Sequence, residues 1–469
     1  MVLEQGLTGK GWTIVVDVGK TNSKVTCWSR DGRMLDRRVR ANQVPPMRGY
    51  QPLDTLARQE WLLDALAAYA DAGARYIIPV AHGAAVAAVR DSELAFAPID
   101  YEWEPPADLV ANYLAQRDEF SITGSPTLPG GLNIGSQLHY LDDAGLIPDD
   151  TCLMPYAQYL AWLLCGVKSS EVTSLGCHSD LWDPTAADFS PMAKKRGWAD
   201  RFAPIVRASD VLGPIRSNVA ERTGLSPDTK VLAGLHDSNA ALLAARGFEE
   251  IESGEATVLS TGTWFIPMRL TDEVVTPAEL PEARDCLMNV DAFSRPVPSA
   301  RFMGGREIET LIQIDTRRVD IRPDQPALLA AVPGVVEQGA MVLPTLAPGT
   351  GPFPEAQGGW VNRPDDWFAR RSAACLYGAL MVDVALSLIG SKDVLLVEGR
   401  FAEAEVIVRA LASLRPDMHI YVSNAHNDVS FGALRLIDPA LKPEASLRKV
   451  EPLETPLGDY RARWKEAIR

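Results

Sequence analysis

From Asp17 to Lys24 the chain runs Asp-Val-Gly-Lys-Thr-Asn-Ser-Lys: one acid, one glycine, two hydroxyls, one amide and two lysines within eight residues. Such a stretch can wrap a polyphosphate. Gly19 lets backbone amides approach, Thr21, Asn22 and Ser23 offer donors, and Lys20 and Lys24 neutralise charge. Asp17 adds a carboxylate that can hold a magnesium ion, directly or through water. Taken alone, the same residues also make an ordinary polar hairpin turn, with Asp and Gly present for conformation only.

Three further clusters bear on the choice. Thr261-Gly262-Thr263 repeats the pairing of hydroxyls with glycine, and Glu398-Gly399-Arg400 offers a flat glycine surface suited to a nucleotide base or ribose. Asp237 stands beside a helix start, where it serves either as a cap or as a free carboxylate. Phosphoryl transfer from ATP needs such parts: phosphate donors, a metal, and a carboxylate near the acceptor hydroxyl.

The elements that must position these residues follow from pattern. Residues 12–16 are a short apolar run that predicts a buried strand, with 25–28 as its partner. A helical pattern over 53–72 carries Leu56, Leu62, Leu63 and Leu66, and a strand over 76–80 ends at Ala81-His82-Gly83. Residues 156–164 predict a helix, 231–234 a strand or its end just before Asp237, and an Ala/Leu helix begins near Ala240. The apolar pattern breaks over 246–254, placing the domain boundary there and giving domains 1–246 and 247–469. The second half restarts with a strand over 256–260 that runs into Thr261. A Gly-Gly pair then precedes a helix, a Pro/Gly-rich loop spans 343–359, and a long helix with small residues spans 371–389. Strands over 394–397 and 420–423 and a helix over 431–437 follow. Alternating strands and helices predict an α/β fold, and each half opens on a strand that delivers a Thr/Gly turn.

Composition sets the bounds. A chain of 469 residues exceeds a single core, and 46% hydrophobic with 23% charged residues describes an ordinary globular protein. A net charge of −15 argues against a nucleic-acid backbone or an anionic membrane as partner, yet leaves room for an anionic nucleotide held by a few local donors. Six scattered cysteines without a Cys-x-x-Cys pair predict reduced thiols. The opening residues lack the layout of a signal peptide, and no run approaches a membrane span, so the expected location is cytoplasmic.

The motifs together resemble the FGGY family of carbohydrate kinases, within the sugar kinase, heat-shock and actin superfamily. Asp17 to Lys24 resembles the family's first phosphate motif, in the Thr-Asn form of deoxy-sugar ketose kinases. Ala81-His82-Gly83 is similar to the Met-His-Gly of xylulokinases, Gly234 to Ala241 resembles the segment with the catalytic aspartate, and Leu259 to Trp264 resembles the second phosphate motif. The resemblance covers roughly residues 12–437 in family order. Two departures stand out: Lys20 replaces a small residue or threonine, and Glu398-Gly399-Arg400-Phe401 retains one glycine of the usual Gly-Gly adenosine motif.

The resemblance implies two actin-like (ribonuclease H-like) α/β domains with a cleft between them, and ATP-dependent phosphorylation of a ketose such as L-fuculose, L-rhamnulose, xylulose or ribulose. It makes Asp237 the general base and a magnesium contact, with Asp17 holding Mg2+. Gly19, Lys20, Thr21, Asn22, Lys24, Thr261, Gly262, Thr263, Glu398, Gly399 and Arg400 would bind nucleotide, Lys20 either touching phosphate or facing solvent. His82 and Gly83 would contact sugar, with His236, Asn239 and Trp103 as lesser candidates; Trp103 either stacks on the sugar or packs in the core. Closure of the domains would exclude water. A polyol or sugar-acid kinase, a non-catalytic sensor and an actin-like ATPase are the alternatives. Oligomeric state is left open, a homodimer included.

Overall fold

The first hairpin is longer than its apolar residues alone suggest. β1 (Trp12–Val18) and β2 (Asn22–Trp28) run on through polar residues and leave only Gly19, Lys20 and Thr21 as the turn. Register explains this. Asp17 faces Lys24 across the antiparallel pair, and the Lys24 ammonium donates to the Asp17 carboxylate at 2.9 Å, so an ion pair continues the ladder where apolar residues stop.

The structure is a computed structural model that describes residues 11–47, 49–252, 254–423 and 429–468; the expectation drawn from residues 1–10 lies outside them. The chain divides into two compact units. The first comprises Met1–Gly247, Met288–Pro296 and Asn427–Glu444; the second comprises Phe248–Leu287, Val297–His426 and Ala445–Arg469. The principal cut follows Gly247, and two later segments return to the first unit, which a boundary drawn once along the sequence does not express.

In the first unit β3 (Met34–Ala41) pairs antiparallel with β2, and β4 (Ala74–Ala81) pairs parallel with β1. Val211–Pro214, Lys230–Leu232 and the two-residue strand Leu235–His236 complete a seven-stranded mixed sheet. Side chains alternate across it. Ile14, Val16 and Val18 pack with Leu62, Ala65 and Leu66 of α1 (Thr55–Ala67) and with the helix Tyr156–Cys165. Val15, Ile78 and Val80 face the other way, against Leu243 and Ala244 of helix Asp237–Ala245 and Phe431 of helix Val429–Leu434. Asp17, two residues beyond Val15, shares this second face. Leu56 does not join the core stripe of α1: it is 76% exposed, and Thr55, Arg58, Leu62, Ala65 and Leu66 carry the stripe.

The second unit repeats the plan. Ala256–Thr261 pairs antiparallel with Phe265–Leu270 and parallel with Val394–Gly399, as β1 does with β2 and β4. His419–Ser423 extends the parallel run of a second seven-stranded mixed sheet. Among the described residues Trp367–Leu388 is the one helix long and apolar enough to cross a membrane, and 89% of its most apolar window is buried within the protein, as befits a core helix. Its small residues serve close packing: a Cβ on Gly378 would lie 2.9 Å from the Ile308 side chain.

Candidate active site

Three strand ends line up in the first unit. Asp17 is level with Val80 and Val18 with Ala81 across β1 and β4, while Leu235 is level with Val80 and His236 with Ala81. Asp17, His82, His236 and Asp237 therefore leave the sheet side by side at the carboxyl ends of parallel strands, where open α/β sheets present ligands. Gly234 makes the last strand possible: a Cβ there would come within 1.9 Å of the Pro79 carbonyl oxygen.

The two histidines are buried and differ in the nitrogen they leave bare. His82 Nδ1 donates to the Gly83 carbonyl at 2.7 Å, which leaves Nε2 a buried acceptor without a partner among the described residues. His236 Nε2 lies 3.1 Å from Asp237 Oδ1, which leaves its Nδ1 in the same condition. Burial lowers both rings to about 4, so both are neutral near pH 7. Gly83 is bound to this arrangement, since a Cβ would stand 2.8 Å from His236 Nε2.

Asp237 is the first residue of its helix; His236 holds the cap position, and no side chain caps the helix. Asp237 thus stands one residue inside the cap position, and its carboxylate accepts from the backbone amide and hydroxyl of its neighbour Ser238. Burial raises the Asp237 pKa, while His82, Ser238 and Lys24 lower it. Lys24 thus stands between two carboxylates, bonded to Asp17 and within electrostatic reach of Asp237. Asn239 donates to the Val290 carbonyl at 3.1 Å, and its Oδ1 is a further buried acceptor without a partner among the described residues.

The turn itself is clamped by a residue that sequence spacing did not reveal. Asn42 accepts from Ser23 Oγ at 2.6 Å and donates to the carbonyls of Gly19 and Lys20 at 2.8 and 3.1 Å. Thr21 and Asn22 stand exposed at the tip. Lys20 points elsewhere: its ammonium pairs with Asp100, lies 3.2 Å from Glu102, and sits 4.9 Å above the Tyr101 ring. Trp103 is partly buried and packs against Tyr140 and Tyr50, with centroids 4.7 and 6.2 Å away, at the edge of a core cluster. The ring beside His82 is Tyr101, at 5.5 Å and nearly perpendicular.

In the second unit Thr261 ends its strand with its hydroxyl fully engaged, donating to the Glu398 carbonyl at 2.5 Å and accepting from Phe401 N at 3.1 Å. It fixes the Glu398–Phe401 corner and has no proton left for a phosphate. Gly399 lies in the left-handed region (φ +87°), where a Cβ would meet the Thr261 carbonyl oxygen at 2.4 Å, so glycine is required. Gly262 and Thr263 follow on the turn. Arg400 is tied to Glu309 at 3.3 Å and lies over Phe401.

The description "Carbohydrate kinase FGGY, C-terminal domain" matches residues 253–445. The crystal structure of a carbohydrate kinase from Novosphingobium aromaticivorans is 64% identical, superimposes with a TM-score of 0.95, and covers 97% of this chain and 100% of its own. The chain belongs to the FGGY carbohydrate kinase family. Its α/β architecture, with one mixed sheet in each unit, is the family's. Two curated relatives are more distant. The L-xylulose/3-keto-L-gulonate kinase of Escherichia coli (strain K12) is 30% identical over 124 residues, 26% of this chain and 24% of that protein. The L-fuculokinase of Salmonella typhi is 25% identical over 284 residues, 56% of this chain and 57% of that protein. The matched stretches thus span between about a quarter and just over half of these relatives.

FGGY kinases use ATP, and the donor chemistry of the first unit suits the accompanying cation. Among the described residues no group of three or more His, Cys, Asp or Glu could hold a metal alone. A magnesium ion keeps water and phosphate oxygens and takes one or two carboxylates, so Asp17, with Asp237 nearby, fits it better than a protein-only cage would.

Proposed function

We propose that this chain transfers the γ-phosphoryl group of ATP to a primary hydroxyl of a ketose, L-fuculose and L-rhamnulose ahead of xylulose and ribulose. The observation that carries the reading is the pair of bare, buried acceptors on His82 and His236 beside the carboxylate of Asp237. Buried acceptors without donors are costly, and a polyhydroxylated ligand supplies the missing hydroxyl protons. The names of the two curated relatives, both ketose kinases, support the same class.

In this mechanism the ketose hydroxyl donates its proton to Asp237 as its oxygen attacks the γ-phosphorus. The bond from that phosphorus to the bridging oxygen breaks, and ADP leaves. Burial raises the basicity of Asp237, while Ser238 and Lys24 temper that rise. His82 and His236 accept sugar hydroxyls, which orients the reacting one. Thr21, Asn22 and the Gly19 backbone bind phosphate in the first unit; Gly262 and Thr263 do so in the second, with Thr261 holding Glu398, Gly399 and Arg400 in place toward the nucleoside. A magnesium ion held by Asp17 would neutralise phosphate charge.

The test is ADP release by the purified protein over ketoses, aldoses and polyols. Turnover is expected with ketoses, and discrimination between two that differ by one methyl should be modest, since such a group is worth about 1–3 kcal/mol. Strong turnover of glycerol or erythritol with none of any ketose would overturn the acceptor class; no release with any sugar would overturn the kinase reading.

A further inference from the structure

Lys20 is the one cation of the phosphate turn whose charge is directed away from it. Its ammonium meets Asp100, a side chain 8% exposed, and lies 3.2 Å from the exposed carboxylate of Glu102. The same ammonium covers the face of Tyr101 at 4.9 Å, a cation–π arrangement. These three acceptors are consecutive residues of one loop. Tyr101 is the ring that stands 5.5 Å from His82, and its hydroxyl pKa is raised by burial, Glu102, Asp237 and Asp100, in keeping with a place beside the catalytic carboxylate.

The loop's other ties lead away from the phosphate turn: Trp103 packs against Tyr140 and Tyr50, and three amides are bonded. Asp100 N donates to the Gln51 carbonyl at 2.8 Å, Glu102 N to Asp100 Oδ1 at 3.0 Å, and Gly131 N to the Tyr101 carbonyl at 2.9 Å. Asp100 therefore has two duties: it braces the backbone of Glu102 and receives Lys20. Gly130 and Gly131 press against it from behind, where a Cβ on Gly130 would stand 2.7 Å from the Tyr101 carbonyl oxygen. Without Lys20, Asp100 would be a nearly buried carboxylate lacking its cation, and nothing of comparable strength would join the loop to the phosphate turn.

We infer that Lys20 is a positioning residue for the acceptor sugar: its pairing with Asp100 latches the loop 100–103 to the Gly19–Thr21 turn and sets Tyr101 as the wall of the sugar site beside His82. The inference rests on the proposed kinase reading for the ligand, but not for the latch. One turn thus serves both substrates: Thr21 and Asn22 face outward at its tip, while Lys20 reaches back to shape the acceptor side. Lys20 acts through Tyr101 and does not touch phosphate.

The experiment pairs steady-state kinetics with hydrogen exchange on the full chain. Lys20→Ala should raise KM for the ketose by about tenfold, the usual effect of deleting a charge-assisted hydrogen bond, with KM for ATP changed less than about twofold. Lys20→Arg should restore most of the affinity, and Lys20→Asp combined with Asp100→Lys should recover more than either change alone. Exchange at the amides of Glu102 and Gly131 should accelerate in Lys20→Ala. A raised KM for ATP with an unchanged sugar constant would overturn the inference and return Lys20 to the phosphate. Unchanged kinetics and exchange would overturn it as well. If the parent protein turned over no sugar, the kinase reading would fail on its own, and exchange at the loop would still decide the latch.

Discussion

A carboxylate that must take a proton needs to be basic yet ionised, and the surroundings of Asp237 pull in both directions: burial raises its pKa, while Lys24 and the dipoles around Ser238 lower it. Asp237→Asn keeps size and polarity but cannot accept a proton. Because the amide oxygen of Asn still accepts from Ser238, the variant should melt within a degree or two of the parent and still bind sugar and ATP. Its kcat should fall by at least about a hundredfold, the usual contribution of a general base. Retention of most turnover in the folded variant would place the base elsewhere. Acidification should reduce kcat at a higher pH than an exposed aspartate would dictate. Stability has its own dependence. His82 and His236 titrate near 4 in the fold against 6.5 in the free chain, so between those values the unfolded state takes up protons that the folded state refuses. Their burial is tolerated fully above pH 6.5, and stability drains as pH falls toward 4, which thermal melts at stepped pH will show. Residue types at strand ends were legible in the sequence, because Asp17, His82 and Asp237 each follow an apolar run. Pairings across long separations were not: nothing near Lys20 announces Asp100, eighty residues on, and nothing near Tyr101 says that it, and not Trp103, stands beside His82.

Elements carry the same lesson with different physics. The strands that are apolar runs were readable, but the half-exposed strand Met34–Ala41 was not, nor were strand lengths, since the Asp17–Lys24 pair extends the ladder into residues that look like turn. The helix that begins with Asp237 starts three residues before the Ala/Leu pattern becomes visible, because its first turn presents polar groups at the sheet edge. What seats that helix is Gly432, in the helix Val429–Leu434. A Cβ on Gly432 would lie 1.7 Å from the Ala240 carbonyl oxygen, so helix Val429–Leu434 and helix Asp237–Ala245 touch backbone to backbone. Gly432→Ala must therefore push the two apart. Overpacking of this kind typically costs about 1–3 kcal/mol, and here the displaced element carries the proposed base. The variant should lose thermal stability and kcat together, whereas Ala433→Gly beside it should lose stability with a much smaller effect on kcat. A fully active Gly432→Ala protein would mean that the seating of the helix does not set the position of Asp237.

At the scale of the whole molecule, charge bears on which ketose the site accepts. The chain carries a net charge of −15, and the acceptor side of the first unit adds Asp100, Glu102 and Asp237. Its two lysines are paired with carboxylates, Lys20 with Asp100 and Lys24 with Asp17, while Arg58 donates to the Tyr156 hydroxyl at 3.2 Å and keeps a buried Nε without a partner among the described residues. The two histidines there are neutral. A sugar acid would bring a carboxylate into this field and would have to draw a lysine from its carboxylate or reach the buried Arg58, at a cost in desolvation that a neutral ketose avoids. L-Xylulose should therefore exceed 3-keto-L-gulonate in kcat/KM by at least about tenfold, although the Escherichia coli relative is named for both. Salt separates field from fit. Raising ionic strength to about 0.15 M shortens the Debye length to about 8 Å, which should narrow the gap by relieving repulsion of the acid while leaving the neutral ketose unaffected. The opposite pattern, a sugar acid preferred at low salt and weakened as salt rises, would show that a cation such as Arg58 reads a carboxylate, and the acceptor would then be an acid.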